Sequence, residues 1–265
     1  MVDTYSTQSL TSLMIKPTSA EEPKPETNKE HVRIYNHNLC PYAERGRLGL
    51  AAKKIQFQEG IIDFTLKAKW FTDINEGKVP IVETPAGDII HESQVVIDFA
   101  EKYGGDNGLR LFSKDPVKEA LQRMDIIAHD KVIPHYYYFY MAKTQEQIDE
   151  AVKNYKEKLV KGEEWLKGKL GENKYIGGEE PSAVDLNVFP ILQKGVLFEH
   201  TVMKDVFDAI GYKDIAPTCI AYVYRMREHP LLKDHVMKLK NYQVFLERIK
   251  AGRGELKLTH EDLVE

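Results

Sequence analysis

Residues 31–54 read HVRIYNHNLCPYAERGRLGLAAKK: a short β-branched and aromatic run, a polar turn, then Cys40-Pro41 at the head of a helix-forming stretch. HVRIYN has the composition of a strand. Pro41 suits the first helical position, where its missing N–H costs nothing, and the helix is expected to run to about Lys54. Cys40 therefore sits between a strand and a helix, where unpaired backbone N–H groups and the helix dipole favour an anion. Such placement brings a thiol pKa from about 8.5 into a range of roughly 3.5 to 7.5, so Cys40 is the candidate nucleophile. Arg45 and Arg47 lie close by in the sequence and carry positive charge. On position alone, a single cysteine is equally well a small buried hydrophobe.

Working outward, QFQEGII (56–62) reads as a second strand and Lys67 to Ile74 as a short helix. VPIVET (79–84), the turn Pro85-Ala86-Gly87-Asp88 and a strand at 88–90 form a hairpin, and a helix follows from Glu92 to Tyr103. This order predicts a mixed sheet of four strands, one parallel pair joined by a crossover and one antiparallel hairpin. The Gly-rich segment 104–108 closes the block, and nothing beyond it reads as a strand. Asp115-Pro116 opens a helix expected to continue through the aromatic run Tyr136 to Tyr140. Ile148, Val152, Tyr155, Leu159 and Leu166 mark an amphipathic helix. Further helices are expected at Ser182–Leu197, Pro217–Arg227 and Pro230–Ile249. The fold class is α/β plus all-α: a flexible N-terminal arm at 1–30, a sheet domain at 31–104, a helical domain at 112–250 and a polar tail at 251–265.

Composition narrows the function. Hydrophobic residues at 42% and charged residues at 29% fit an ordinary globular protein, and 265 residues allow two modest domains. A net charge of -4, with Lys and Arg interleaved among Asp and Glu, offers no basic field for nucleic acid. Two cysteines, Cys40 and Cys219, are too few for a disulfide scaffold and suit a reducing compartment. No zinc-type spacing occurs, so no metal is expected. No apolar run approaches the roughly 18 to 20 residues of a membrane span. Residues 1–30 contain no Arg and carry Asp3, Glu21, Glu22 and Glu26, unlike a transit peptide. A cytoplasmic protein without membrane partners is the expectation. His129 and His135 have no Ser, Cys or Asp partner at recognisable spacing, so no triad is indicated, and Cys219, in PTCIAYVYRM, reads as core.

Cys40-Pro41-Tyr42-Ala43 resembles the active-site turn of glutaredoxins and of omega-class glutathione transferases. Ala43 stands where a dithiol enzyme carries its second cysteine. Cys40 therefore needs a thiol from solution, such as glutathione, to complete disulfide exchange. The resemblance to omega-class transferases extends over roughly residues 31 to 250. It implies a thioredoxin-like domain followed by an all-helical glutathione-transferase domain, with the active cleft between them. In Lys78-Val79-Pro80-Ile81 it implies a cis proline and a backbone that pairs with the cysteinyl part of glutathione; the residues alone are compatible with either isomer. His91-Glu92-Ser93-Gln94 matches the turn that holds the γ-glutamyl end, with Ser93 capping a helix and Glu92 accepting from the ammonium group; read by itself it is an ordinary helix cap. Lys67, three positions before Trp70, aligns with a lysine that approaches the glycine carboxylate, and Lys69 is a near neighbour. Pro41 and Tyr42 complete the glutathione-binding set.

Gly177-Gly178 and Pro181 to Leu186 resemble the structural capping segment of these enzymes, with Ser182 and Asp185 forming a capping box. Tyr137 and Tyr140, within Ile133 to Tyr140, are candidates for the acceptor site, since that helix faces the cleft in the family; core packing is the other reading of these aromatics. The resemblance implies glutathione as co-substrate with no tightly bound cofactor, and a small electrophile or disulfide as the second substrate. The implied activity is thioltransferase or dehydroascorbate reductase. Homodimers are common in the wider family. Two other classes stay open: a non-catalytic glutathione-transferase-like interaction or assembly subunit, and a protein like the intracellular chloride channels, which share the Cys-Pro-aromatic turn. The long segment before His31 and the extra polar residues after Lys250 depart from the family pattern.

Overall fold

The computed structural model describes residues 10–64 and 66–251, so parts of the expected arm and tail, 1–9 and 252–265, lie outside the described residues. The chain divides after Gly108 into two units.

The first unit contains strands β1 (Leu13–Ile15), β2 (Val32–Asn36), β3 (Phe57–Ile62), β4 (Ile81–Glu83) and β5 (Ile89–His91), with helices α1 (Pro41–Ala52), α2 (Lys69–Asn75) and α3 (Ser93–Gly104). They form one sheet in the order β1-β3-β2-β4-β5. β3 runs parallel to both β1 and β2, whereas β4 is antiparallel to β2 and to β5. The four expected strands are present, but the sheet has five. β1 arises in the Ser-, Pro- and Glu-rich stretch expected to be an arm, and its three residues carry no alternation of their own. Its ladder exists because the outer edge of β3 supplies one, pairing Leu13 with Gly60 and Ile15 with Ile62. Gly60 makes the approach possible: a Cβ there would stand 2.9 Å from the Tyr35 ring and 3.1 Å from Ile15.

Alternation along the strands divides the core between two faces. Val32, Ile34, Phe57 and Val82 pack with Leu50 and Ala51 of α1 and with Val96 and Ala100 of α3. Tyr35, Ile62 and Ile81 pack on the opposite face with Ile15 and with Phe71 of α2. α1 lies close against β2 and α3 because Gly46 leaves no side chain there; a Cβ would meet Ile34 at 3.0 Å and Val96 at 3.1 Å.

At the end of β4 the carboxylate of Glu83 is buried, at 1% exposure, and fully engaged. It accepts from Thr27 Oγ1 at 2.8 Å, Tyr35 OH at 2.9 Å, Arg33 Nη1 at 3.3 Å and the ammonium of Lys24. Burial pushes the Tyr35 phenol up to about 12, so it stays a donor at neutral pH. Burial also raises the Glu83 carboxyl, but the hydrogen bonds from Lys24, Thr27 and Tyr35 and the charge of Lys24 outweigh it and hold the group below the usual carboxylate range.

The second unit is helical, as expected: α4 (Pro116–Val132), α5 (Tyr137–Met141), α6 (Gln145–Leu170), α7 (Ala183–Val196), a 3-10 turn (Leu197–His200), α8 (Lys204–Ile210), α9 (Tyr212–Ile215), α10 (Pro217–Arg227) and α11 (Leu239–Lys250). The aromatic run does not continue α4. Ile133 is extended (φ -81°, ψ 128°), because a residue before proline is kept out of the helical region, and α5 is a separate short helix. α11 begins at Leu239 rather than Pro230, and α8 and α9 fill a stretch without clear periodicity.

α7 is buried at every position, and its capping box is formed by Ser182 and Asp185. Asp185 accepts from the N–H groups of Ile176, Gly177 and Ser182 at 2.8–2.9 Å and from Tyr222 OH at 3.0 Å. It is a structural hub. Among the described residues no helix is long and apolar enough to cross a membrane.

The Glu83 shift has a definite sign in stability. The unfolded carboxyl titrates near 4.3, and the folded one lower. The contribution is complete above the unfolded value and is lost as pH falls through the folded one. Urea titrations from pH 6 down to pH 3 should show parent stability dropping with acid, and Glu83→Gln should be weaker at pH 6 with a shallower drop. Equal slopes for the two proteins would contradict this assignment.

Candidate active site

Cys40 stands at the N-cap of α1 in extended geometry (φ -81°, ψ 118°), and its side chain makes no capping hydrogen bond. Its N–H donates to His37 O at 2.9 Å, which closes the turn between β2 and α1, and Pro41 is the first helical residue. The thiol thus stands beside the first turn of the helix without serving as its side-chain cap. Cys40 is half-buried, as a group must be that is sheltered and yet reachable. The arginines that follow are buried and engaged elsewhere. Arg45 lies over the Tyr42 ring at 4.8 Å, and Arg47 Nη1 is 3.5 Å from Glu59 and 3.4 Å from Asn38.

A cavity of about 380 Å³ opens at this point of the first unit. Cys40 and Tyr42 line it from α1, Val79 and Pro80 from the approach to β4, and Glu92 and Ser93 from the start of α3. Six of the residues singled out in the sequence therefore converge. The Val79-Pro80 peptide is cis. Glu92, not Ser93, occupies the N-cap of α3; it has φ +68°, and its exposed carboxylate lies 3.7 Å from His91 Nδ1. Ser93 is the first residue of the helix and is buried. A positive φ in a residue other than glycine is costly and persists only where its surroundings enforce it.

Pro41 is buried and does not line the cavity. Lys67 likewise does not line it; its ammonium donates to Gly77 O, 2.9 Å away, and lies over the Phe64 ring at 4.8 Å. Gly77 and Phe64 themselves are part of the wall. Lys69 points elsewhere, to Asp73.

Phe64, Asn75 and Gly77 also line the cavity and were not put forward from the sequence, and Lys78, named there only as the first residue of the Lys78–Ile81 motif, lines it as well. Asn75-Glu76-Gly77 was a legible turn signal, and both Glu76 and Gly77 adopt positive φ. Phe64 had no signal; it stacks on His37 at 4.7 Å, a contact between residues 27 positions apart.

Tyr137 and Tyr140 belong to the second unit. Tyr137 is partly exposed and stacks near His135 and Tyr136. Tyr140 OH meets Tyr242 OH at 2.7 Å, and its ring abuts Phe245. Burial and the neighbouring tyrosines push its phenol well above the ordinary value, so it remains protonated.

The second cysteine is a contrast. Cys219 is completely buried on α10, and burial together with the negative Glu163 pushes its thiol well up. Iodoacetamide at neutral pH should modify the folded protein once, at Cys40, and should reach Cys219 only after denaturation. Peptide mapping of both samples checks this, and a modified Cys219 in the folded protein would contradict it.

Two family models match the chain: "Glutathione S-transferase, N-terminal domain" over residues 39–102 and "Glutathione S-transferase, C-terminal domain" over residues 123–230. The chain is similar to mouse glutathione S-transferase omega-1, at 27% identity over 222 residues, covering 81% of this chain and 84% of the mouse protein. It is also similar to pyrimidodiazepine synthase of Drosophila melanogaster, at 24% identity over 247 residues, with 91% and 95% covered. Among solved structures, glutathione transferase Omega 3C from Trametes versicolor superposes with a TM-score of 0.66 at 21% identity, over 84% of this chain and 92% of that one, a likeness of fold.

Proposed function

The chain belongs to the glutathione S-transferase family of enzymes, with omega-class proteins among its relatives, and on that footing we propose that it is a glutathione-dependent thiol transferase working through a mixed disulfide on Cys40. One observation carries the reading. Cys40 stands at the N-cap of α1 in the cavity wall with no side-chain capping bond, and the position that would hold a resolving cysteine is the fully buried Ala43.

The chemistry follows from a single thiol. The Cys40 thiolate attacks the glutathionyl sulfur of a mixed disulfide R–S–S–G. The S–S bond breaks, R–S⁻ leaves and takes a proton, and Cys40–S–S–G is formed. A second glutathione thiolate attacks the glutathionyl sulfur of that adduct, which releases oxidised glutathione and restores Cys40. The net reaction is R–S–S–G plus glutathione giving R–SH and oxidised glutathione. The same adduct supports dehydroascorbate-type reduction, in which two glutathiones supply the two electrons.

In this reading the cysteinyl backbone of glutathione lies along Val79 and Pro80, and its γ-glutamyl end meets Glu92 and Ser93. Lys78, which lines the cavity, receives the glycine carboxylate, Lys67 supports that wall through the Gly77 carbonyl, and Tyr42, preceded by the buried Pro41, shapes the side next to Cys40. A protein with two unbridged thiols suits the reducing cytoplasm.

Incubation with oxidised glutathione should add one adduct of about 305 Da, absent from Cys40→Ser, retained in Cys219→Ser and removed by reduced glutathione. An adduct that survives in Cys40→Ser, or none in the parent, would sink the mechanism and favour an idle-cleft interaction protein.

A homodimer is the assembly that fits the surface of α4. Val117, Leu121, Met124 and Ile127 recur at helical spacing on one face, each more than half exposed. A contiguous apolar stripe of this kind is unusual on a monomer, and a second copy in two-fold arrangement covers it with its own equivalent. Light scattering should give twice the chain mass for the parent and a single chain for Met124→Lys/Ile127→Lys. A parent that is monomeric at tens of micromolar would refute the dimer.

A further inference from the structure

The segment from Leu13 to Thr27 is bonded to both ends of the stretch that builds half of the cavity wall. At one end, the N–H of Lys69, which opens α2, donates to Ala20 O at 2.7 Å. At the other, Glu83, which closes β4, accepts from Thr27 and Lys24. Between these anchors lie Asn75, Gly77, Lys78, Val79 and Pro80, five of the ten residues lining the cavity.

The segment is itself fixed. Ile15 pairs within the sheet and its carbonyl accepts from Asp63 N–H at 2.9 Å, while Arg33 Nη1 donates to Glu26 O at 2.7 Å. Between α2 and β4 the chain passes through two successive positive-φ residues, Glu76 and Gly77, in a turn closed by Lys78 N–H on Asn75 O at 2.8 Å and held by Lys67 on Gly77 O, so the placing of that turn depends on how its two ends are anchored.

We propose that residues 13–27 are a strap that positions the 69–83 stretch, with Lys24 and Thr27 as positioning residues for the glutathione cavity. This rests on the reading that glutathione occupies that cavity. The two contacts act on Val79 and Pro80 through Glu83, three positions beyond the proline in the same extended run, and on the Asn75–Lys78 turn through the start of α2. Loss of either anchor loosens the wall while Cys40, carried by α1 and β2, keeps its place. The effect therefore falls on glutathione binding and spares the reactivity of the thiol.

The test uses the full chain and two independent variants. Lys24→Met/Thr27→Val removes the Glu83 anchor and leaves Arg33 and Tyr35 on the carboxylate. Lys69→Pro removes the Ala20 anchor, and proline is tolerated there because Lys69 is the first helical residue and Ala68 before it is already extended. Hydrogen exchange of the ligand-free proteins should quicken selectively over 75–80. The KM for glutathione should rise about tenfold, the size of an ordinary coupling between sites, with kcat and the iodoacetamide rate at Cys40 little changed. Lys24→Arg should behave as the parent.

Unchanged exchange and KM in folded variants would overturn the strap, as would an exchange increase spread evenly over the unit, the mark of lost stability alone. A parent that binds no glutathione would overturn the cavity assignment and with it this role, a failure distinct from variants that bind as the parent does.

Discussion

The first backbone N–H groups of a helix have no carbonyl of a preceding turn behind them, and the region around Cys40 is organised by a residue at the head of α1 whose side chain does not cap them. A serine or aspartate at the N-cap would satisfy them with its own side chain, as Asp115 does for α4. At α1 the N-cap is a cysteine whose sulfur makes no such bond. In the proposed reaction the helix terminus stabilises negative charge, first on the Cys40 thiolate and then on the sulfur that leaves. For this the turn between β2 and α1 has to be rigid. It is closed by the Cys40 N–H on His37 O and anchored in a strand buried at every position.

The two cysteines show that the residue type does not set the chemistry. Cys40 is half-buried at an electropositive helix end, whereas Cys219 is sealed in a helical core with Glu163 close by. In the proposed reaction the first is the nucleophile, whereas the second is a packing atom. Carboxylates divide similarly. Glu83 and Asp185 are both buried and both surrounded by donors, and each ties together stretches of chain distant in sequence. Neither lines the cavity. Glu92 does, and it is exposed and held by a strained backbone.

Much of the site was legible because its signals are local. Cys-Pro after a β-branched run, a proline opening a strand, and Glu-Ser ahead of an apolar helix each lie within a few residues. They converge in space because strand order and helix placement leave little alternative. Where local reading went astray, the deciding partner was remote or the local rule was outweighed. β1 has three residues in polar surroundings and becomes a strand because β3 presents an unpaired edge and Gly60 presents a slot. The aromatic run was joined to α4 on pattern, although Pro134 had already restricted Ile133. Phe64 reached the cavity wall through a stacking contact with His37 that no spacing announces.

By itself, the sequence determined a sheet unit followed by a helical unit, the placing of one thiol at a helix start, and the lack of a neighbouring second thiol. These properties are written within one or two turns of chain, where hydrophobic period, turn residues and caps act. Only the tertiary structure decided that the segment before His31 joins the sheet, that Glu83 is clasped by Lys24 from 59 positions away, and that Lys67 bonds to a carbonyl of the cavity wall. Such outcomes depend on which distant groups are brought together as the core closes. A buried charge must find its partners wherever the fold supplies them.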